Sequence, residues 1–534
     1  MSKAKSKRGR PKGSKKSKSS LASSNAAIRS AKDSLFRLIA EQPKKSHSNY
    51  LGEYKFYAAG KWRSSHEVID VIFPYENNII AKVFLAQPTD VETAISNAVK
   101  AFETTKKYSS FERSEILGKA ACALKQNKEN LAKILTLENG KAIKDARAEV
   151  DRAILTFTIA KEEAKRIPGE VLPVDIVSAT KGRFAVVKRF PIGPVAGITP
   201  FNFPLNLVCH KVAAAIAAGN PIIIKPASKT PLCALELAKI FESIKIGENQ
   251  SLPEGIFSVL PCKTSVAEPL ITDERIKLLT FTGSADVGWN LKNKAGKKKV
   301  TLELGGNAAL IVHDDADVEL AASRVSIGGF AVAGQSCISV QRIYVHEKVF
   351  DEFTKKLVTK VKALVVGDPL NDKTDVASMV DVQNAQRVEQ WVNLAVKDGG
   401  KLLFGGKRDK NVSSVYLPTI LANVPETSSV CIKEIFGPVV VLQKYKDFKD
   451  AIKRANNSLY GLQAGIFTKD IDKIMFAFNE LDVGGVMVNE VPTYRVDNQP
   501  YGGVKNSGFG REGPKYVIEE MTELKVMIVN VREP

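Results

Sequence analysis

From residue 193 to residue 281 short apolar runs rich in β-branched residues alternate with helix-length segments, and few folds accommodate that order. Residues 194–198, 221–225, 256–260 and 276–281 read as strands, and residues 205–218 and 231–243 between them as helices. Strands separated by helices form a parallel sheet with crossover helices. In such sheets ligands sit beyond the carboxyl ends of the strands, so function is sought in the residues that follow each apolar run. The chain has 534 residues, too many for one ordinary core, which implies two or three domains.

The flanking segments are plainer. Residues 55–58 and 60–62 read as a hairpin, residues 90–104 and 109–126 as amphipathic helices, and residues 149–166 as a helix ended by Pro168-Gly169. Residues 173–190 alternate apolar and polar around Lys181-Gly182, the pattern of a second hairpin. Residues 1–20 carry nine Lys or Arg and no acid, nearly half of the formal net charge of +20. With almost nothing to bury they are expected to be disordered, and residues 21–50 to form a short helix and linker. Arg8-Gly9-Arg10-Pro11 among lysines resembles an AT-hook, whose extended Arg-Gly-Arg lies in an A/T-rich minor groove; a generic solvated or polyanion-binding tail is the alternative.

The chain reads as a cytoplasmic protein with no membrane association. Its longest apolar candidate, residues 212–224, is broken by Gly219-Asn220-Pro221, and no apolar stretch follows the N-terminal lysines as a secretory signal requires. Six cysteines, at 122, 209, 233, 262, 337 and 431, show no C-x-x-C spacing and no clustered histidines, so neither a disulfide framework nor a metal site is expected. Cys122, Cys209, Cys233 and Cys262 lie in apolar helix-like or strand-like surroundings.

Cys337 is different. It sits in Ala333-Gly334-Gln335-Ser336-Cys337-Ile338-Ser339, among small and polar residues, and reads as a nucleophile. A free thiol is only a few per cent ionised near neutral pH, so it needs a base or a positive field. Glu303, in an apolar run that breaks at Gly305-Gly306, is the candidate base. Asn202, between prolines and phenylalanines in Pro200-Phe201-Asn202-Phe203-Pro204, is suited to hydrogen-bonding an oxygen that becomes negative.

The order PFNFP, IIIKP, FTGSADVG, LELGGN, GQSC, EIFGPVV and PYGGVKNSGFGRE resembles that of the aldehyde dehydrogenase superfamily, over nearly everything from residue 50 onward. The resemblance implies an α/β fold of two Rossmann-like domains and a small β oligomerisation domain. Residues 51–172 and 191–305 would bind the dinucleotide, 306–513 would form the catalytic domain, and 173–190 with 514–534 would bridge subunits of a homodimer or homotetramer, after a tail and linker at 1–50. It also implies a thiohemiacetal and a thioester on Cys337, with Asn202 and the Cys337 N–H as oxyanion donors and Glu303 activating water.

For the cofactor, the resemblance places Ile198, Thr199 and Pro200 along the dinucleotide, Gly283, Ser284 and Gly288 beside it, and Lys225 on the adenosine ribose. Strand, glycine turn and helix start in FTGSADVG point backbone N–H groups at a pyrophosphate, although the G-x-G-x-x-G fingerprint is absent. Where NAD-preferring members carry Glu, this chain has Ser228 and then Lys229, which attract a 2′-phosphate; NADP is expected, with NAD as the alternative. Glu434 would hold the nicotinamide ribose with Phe436 against the ring, while Ile435 and Phe436 also suit an ordinary core.

The substrate side reads as polar. Tyr494 and Arg495 precede Pro500-Tyr501-Gly502-Gly503, and His210 faces them by resemblance. Arg495 could bind a carboxylate, phosphate or phosphonate bidentately, or pair with Asp497 or another acid. This region is most similar to the lactaldehyde, non-phosphorylating glyceraldehyde-3-phosphate and phosphonoacetaldehyde members, so a small polar or anionic aldehyde is expected. Three alternatives stand beside this reading: a coenzyme A-acylating member, a cysteine hydrolase, and a non-catalytic scaffold that binds DNA through its tail. The first usually lacks the glutamate; the second would need a histidine, and none of the five flanks Cys337 in sequence.

Overall fold

The alternation after residue 193 forms a parallel set of strands whose first member in the chain lies in its middle. The computed structural model describes residues 49–531, and the basic tail with its AT-hook-like motif lies outside them. Five parallel strands stand in the spatial order Lys299–Glu303, Leu278–Thr282, Val195–Ile198, Ile222–Lys225, Phe257–Val259. This is the doubly wound arrangement, growing outward in both directions from the first strand, and its crevice opens at the carboxyl ends where the order reverses. Register aligns Ile198 with Lys225 and Phe281, and Thr282 with Glu303, so these residues form a row along that edge. Helices cover the sheet, which is why its strands read as continuous apolar runs. Antiparallel strands complete it: Gly508–Phe509 on one side, Phe56–Ala58 and Lys61–Arg63 on the other.

Only Leu304, Gly305, Gly306 and Asn307 separate Glu303 from the next strand, Ala308–Val312. That strand lies inside a seven-stranded sheet whose neighbours are parallel except for the edge pair Lys401–Phe404 and Thr419–Ala422. Ala308 pairs with Val340, three residues after Cys337. The carboxyl edge of the first sheet therefore runs directly into the amino edge of the second, which brings Glu303 and Cys337 to one seam.

A third sheet joins Glu170–Pro173, Arg183–Pro191 and Thr522–Asn530, all antiparallel, with the last two paired from Thr522↔Pro191 to Asn530↔Arg183. The expected hairpin at 173–190 needs correction: its first strand ends at Pro173, which has no N–H to carry a ladder further, and residues 174–182 form a loop. Residues 514–520, read with the bridging strands, form the helix Pro514–Glu520, with proline in its first turn and Val517 and Ile518 in the main core. Gly508–Phe509, read with the catalytic domain, belongs to the first sheet.

The helix Ser110–Gln126 starts as its sequence dictates. Ser109 Oγ accepts from the Glu112 N–H, and the Glu112 carboxylate accepts from the Ser109 N–H at 2.7 Å, a capping box. Its buried stripe includes Ile116, Leu117, Ala120 and Leu124, which leaves Cys122 on the opposite face, exposed instead of in the apolar setting expected. All six cysteines are free. Among the described residues no helix is long and apolar enough to cross a membrane.

Candidate active site

The loop carrying Asn202 leaves the central strand Val195–Ile198 and enters the helix Asn206–Ala218. Two charges buried without any exposure hold it. Glu149 Oε1 accepts from the N–H groups of Leu205 (2.9 Å) and Asn206 (3.0 Å), donors that the helix start leaves without partners. Its other oxygen receives Lys141 Nζ at 2.5 Å, and the same ammonium donates to the Asn202 carbonyl at 2.6 Å and stands 4.4 Å from the centre of the Phe203 ring. The Asn202 amide donates to the Gln335 carbonyl at 3.1 Å, tying this loop to the thiol loop.

The thiol loop is strained. Val332, Ala333 and Gly334 are consecutive left-handed residues with φ of 52°, 52° and 67°, a conformation that costs a β-branched valine energy. Neighbours hold it: Asp145 accepts from the Val332 N–H at 3.2 Å, and the Gln335 side chain bridges the Val332 carbonyl and the Val380 N–H. A Cβ on Gly334 would run into the Gly437 carbonyl, and one on Gly306 into the Cys337 carbonyl, so both positions require glycine. Cys337 Sγ lies 2.9 Å from Tyr501 Oη. Burial pushes the thiol up to about 12, against the lowering influence of the Tyr501 hydrogen bond and the Arg495 cation.

Glu303 ends its strand buried, with Oε2 lacking any partner among the described residues. Burial pushes its carboxyl well above the ordinary range and Glu512 adds to this, while Arg495, Lys211 and Arg511 oppose it. The carboxyl therefore holds its proton more tightly than an ordinary carboxyl and must lose it before it can serve as a base.

Beneath these groups lies a buried charge network that sequence reading largely missed. Arg495 pairs with Glu512 at 3.1 Å, and Glu512 with Lys211 at 3.3 Å; Lys211 also donates to Thr280 and Thr282 at the sheet's edge. Asp497 receives Arg152 at 2.7 Å and His210 Nε2 at 3.0 Å. Burial and then the Arg495 cation hold His210 below its ordinary value, so it is neutral and donates its Nε2–H to the Asp497 carboxylate. Two expected substrate residues are corrected here. His210 is buried in this network and forms no part of the cavity wall, and Tyr494 points outward, 49 % exposed. Arg495 does reach the cavity, and so does Arg152, from the helix Ile143–Glu163.

The cavity measures about 390 Å³ and is walled by Asn202, Glu303 and Cys337 together with Thr282, Gly283, Ser284, Glu434 and Phe436. Groups along the sheet's edge suit a dinucleotide. Among the described residues the helix Ala285–Lys294 begins without any side-chain cap, Thr199 Oγ1 is buried without a partner, and Lys225 Nζ has only the Pro226 carbonyl at 3.3 Å. Burial holds the Lys225 ammonium below its ordinary value, a state that an anionic or hydroxyl partner would relieve. Gly306 N–H donates to Glu434 at 2.8 Å, and burial pushes that carboxyl up to about 7. Phe436 holds φ 47° and meets Phe201 edge-on at 5.8 Å. Ile198, Thr199, Lys225 and Ser228 stand further along the edge, outside the cavity wall. Gly288 has a packing role, since a Cβ there would collide with Leu304. Lys229, read as attracting a 2′-phosphate, is paired with Asp381. His313, Asp314 and Asp315 lie close together but are engaged by Tyr445, Lys348 and Thr468.

The chain is similar to proteins of known family and structure. The aldehyde dehydrogenase family matches residues 62–527. The 3-sulfolactaldehyde dehydrogenase of Priestia aryabhattai is 46% identical over 480 residues, 90% of this chain and 98% of that one. Among solved structures, aldehyde dehydrogenase 21 of Physcomitrella patens, in complex with the reaction product succinate, superposes with a TM-score of 0.86 at 47% identity, covering 90% of this chain and 98% of the other. Glyceraldehyde-3-phosphate dehydrogenase of Methanocaldococcus jannaschii, complexed with NADP, gives 0.82 at 41% identity, over 88% and 100%. The chain belongs to the aldehyde dehydrogenase family and is an NAD(P)-dependent oxidoreductase acting on the aldehyde group.

Proposed function

We propose that this enzyme oxidises a small anionic aldehyde to its acid, with NADP preferred over NAD, through Cys337, Asn202 and Glu303. The observation that carries the reading is that one cavity is walled by the Cys337 thiol, the Asn202 amide, the Glu303 carboxyl, the turn Thr282-Gly283-Ser284 at the dinucleotide edge and two guanidinium groups. Cys337 sulfur adds to the carbonyl carbon, and the oxygen that becomes negative accepts from the Asn202 amide and the Cys337 N–H. A bound nicotinamide supplies the hydride acceptor. The acyl group stays on Cys337 as a thioester, Glu303 in its ionised form takes a proton from attacking water, and the acid leaves as the thiol is restored. Glu303 also favours hydrolysis over transfer to coenzyme A.

Arg152 and Arg495 support an anionic substrate. Both line the cavity, and among the described residues Arg495 Nε is buried without a partner. The relatives named for sulfolactaldehyde or holding succinate handle such anions. The test follows cofactor reduction with 3-sulfolactaldehyde, succinic semialdehyde, lactaldehyde and propanal, with each nucleotide. Anionic aldehydes should show kcat/KM at least about tenfold above propanal, as expected of a charge-assisted pair; equal values would reject the anion site.

The first sheet would hold the cofactor, the second the chemistry, and the third a subunit contact in a homodimer or homotetramer. The basic tail would bind A/T-rich DNA or another polyanion in the cytoplasm. Its test is retention on duplex DNA: removing residues 1–20 should abolish salt-sensitive binding without affecting turnover, and equal retention of both forms would reject the idea.

A further inference from the structure

One contact in the cavity has no part in the acyl-transfer scheme. Tyr501 Oη lies 2.9 Å from Cys337 Sγ, the tyrosine buried and the cysteine partly buried at the cavity wall. The ring is fixed from two sides. Its backbone exchanges hydrogen bonds with Glu512, N–H to carbonyl at 3.0 Å and 2.6 Å, and the Arg495 guanidinium stands 3.6 Å from the ring centre, itself held by Glu512. So clamped, the hydroxyl meets the sulfur.

We propose that Tyr501 is a catalytic residue: its hydroxyl donates to the Cys337 thiolate and so sets the fraction of sulfur that is nucleophilic. In the neutral pair either atom can donate. When the thiol loses its proton to solvent, the S–H electron pair stays on sulfur and only the phenol can donate. A hydrogen bond to a charged acceptor is stronger than a neutral one, so the contact favours the ionised side. Burial pushes the Tyr501 phenol well above its ordinary value, so it remains a donor throughout the working range. The other titratable groups facing the sulfur divide: Arg495 favours the thiolate, whereas Glu434 and Glu303 oppose it when ionised. Phenylalanine would fill the same space and leave the sulfur without this donor.

The inference rests on the reading of Cys337 as nucleophile, and its test separates the two. Alkylation of Cys337 by iodoacetamide, read by peptide mass spectrometry across the thiol's titration range, reports ionisation without turnover. Tyr501→Phe should raise the midpoint by about one pH unit and slow alkylation at neutral pH about tenfold. The burst of cofactor reduction should fall by a similar factor with KM for the aldehyde little changed. Replacing Tyr501 with 3,5-difluorotyrosine, a stronger donor of the same shape, should move the midpoint down, and keeps the test open if the phenylalanine variant folds poorly. An unmoved midpoint in either folded variant, or a raised KM with an intact burst, overturns the proposal. Cys337→Ser tests the underlying reading: retained turnover would end it, whatever the alkylation curves show.

Discussion

Glu303 governs the second half of the proposed reaction because its proton is held by burial. Its carboxyl lies well above the ordinary range, so the base form grows only as pH rises through that raised value. Thioester hydrolysis should therefore quicken with pH along a limb above that of a free carboxylate, and Glu303→Gln should flatten it. The same variant should keep the burst of reduced cofactor while steady turnover falls about 10²–10⁴-fold, which rapid mixing separates; normal steady turnover would remove the role. Ser228→Glu should shift the kcat/KM ratio towards NAD, since a carboxylate repels a 2′-phosphate. Cys337, Glu303 and Asn202 were legible because each breaks its surroundings: a thiol among polar residues, an acid in an apolar run, an amide between prolines. Arg152 and Lys211 were not, because a lone cation on a helix looks the same whether it meets water or a buried acid. Tyr494 was misjudged because nothing in an irregular run of polar residues fixes which side chain turns inward.

The Asn202 loop depends on a charge pair that cannot be solvated. Lys141→Met would leave Glu149 buried without its counter-ion and should destabilise the protein by about 3–5 kcal/mol, read from denaturant unfolding. Lys141→Met with Glu149→Gln should recover part of the loss, and no recovery would show that the pair is not the cause. The strands of the doubly wound sheet were legible because burial on both faces writes them as unbroken Val and Ile. The helix Pro514–Glu520 was hidden because two turns offer too few apolar positions to show a period, and the loop at 174–182 because alternation continues past Pro173 although the ladder does not.

At the scale of the whole molecule, the strand Thr522–Asn530 is left uncovered by the described residues. Along Thr522–Asn530 Leu524, Val526, Met527 and Ile528 are exposed, residues of both parities, so both faces meet solvent. Ending the chain after Met521 should reduce the assembled mass in sedimentation or light scattering; an unchanged mass would place the subunit contact elsewhere. The division into two main sheets was legible from length and motif order, but their seam was not, since it depends on how few residues join Glu303 to Ala308. The buried network across that seam has a practical consequence for anyone redesigning selectivity. Grafting the segment that carries Arg495, Asp497 and Tyr501 into another scaffold would import a carboxylate whose counter-charge, Arg152, stays behind on a distant helix. Such a transplant would arrive with its electrostatics broken, so recognition in this enzyme can be exchanged only as a set scattered along the chain.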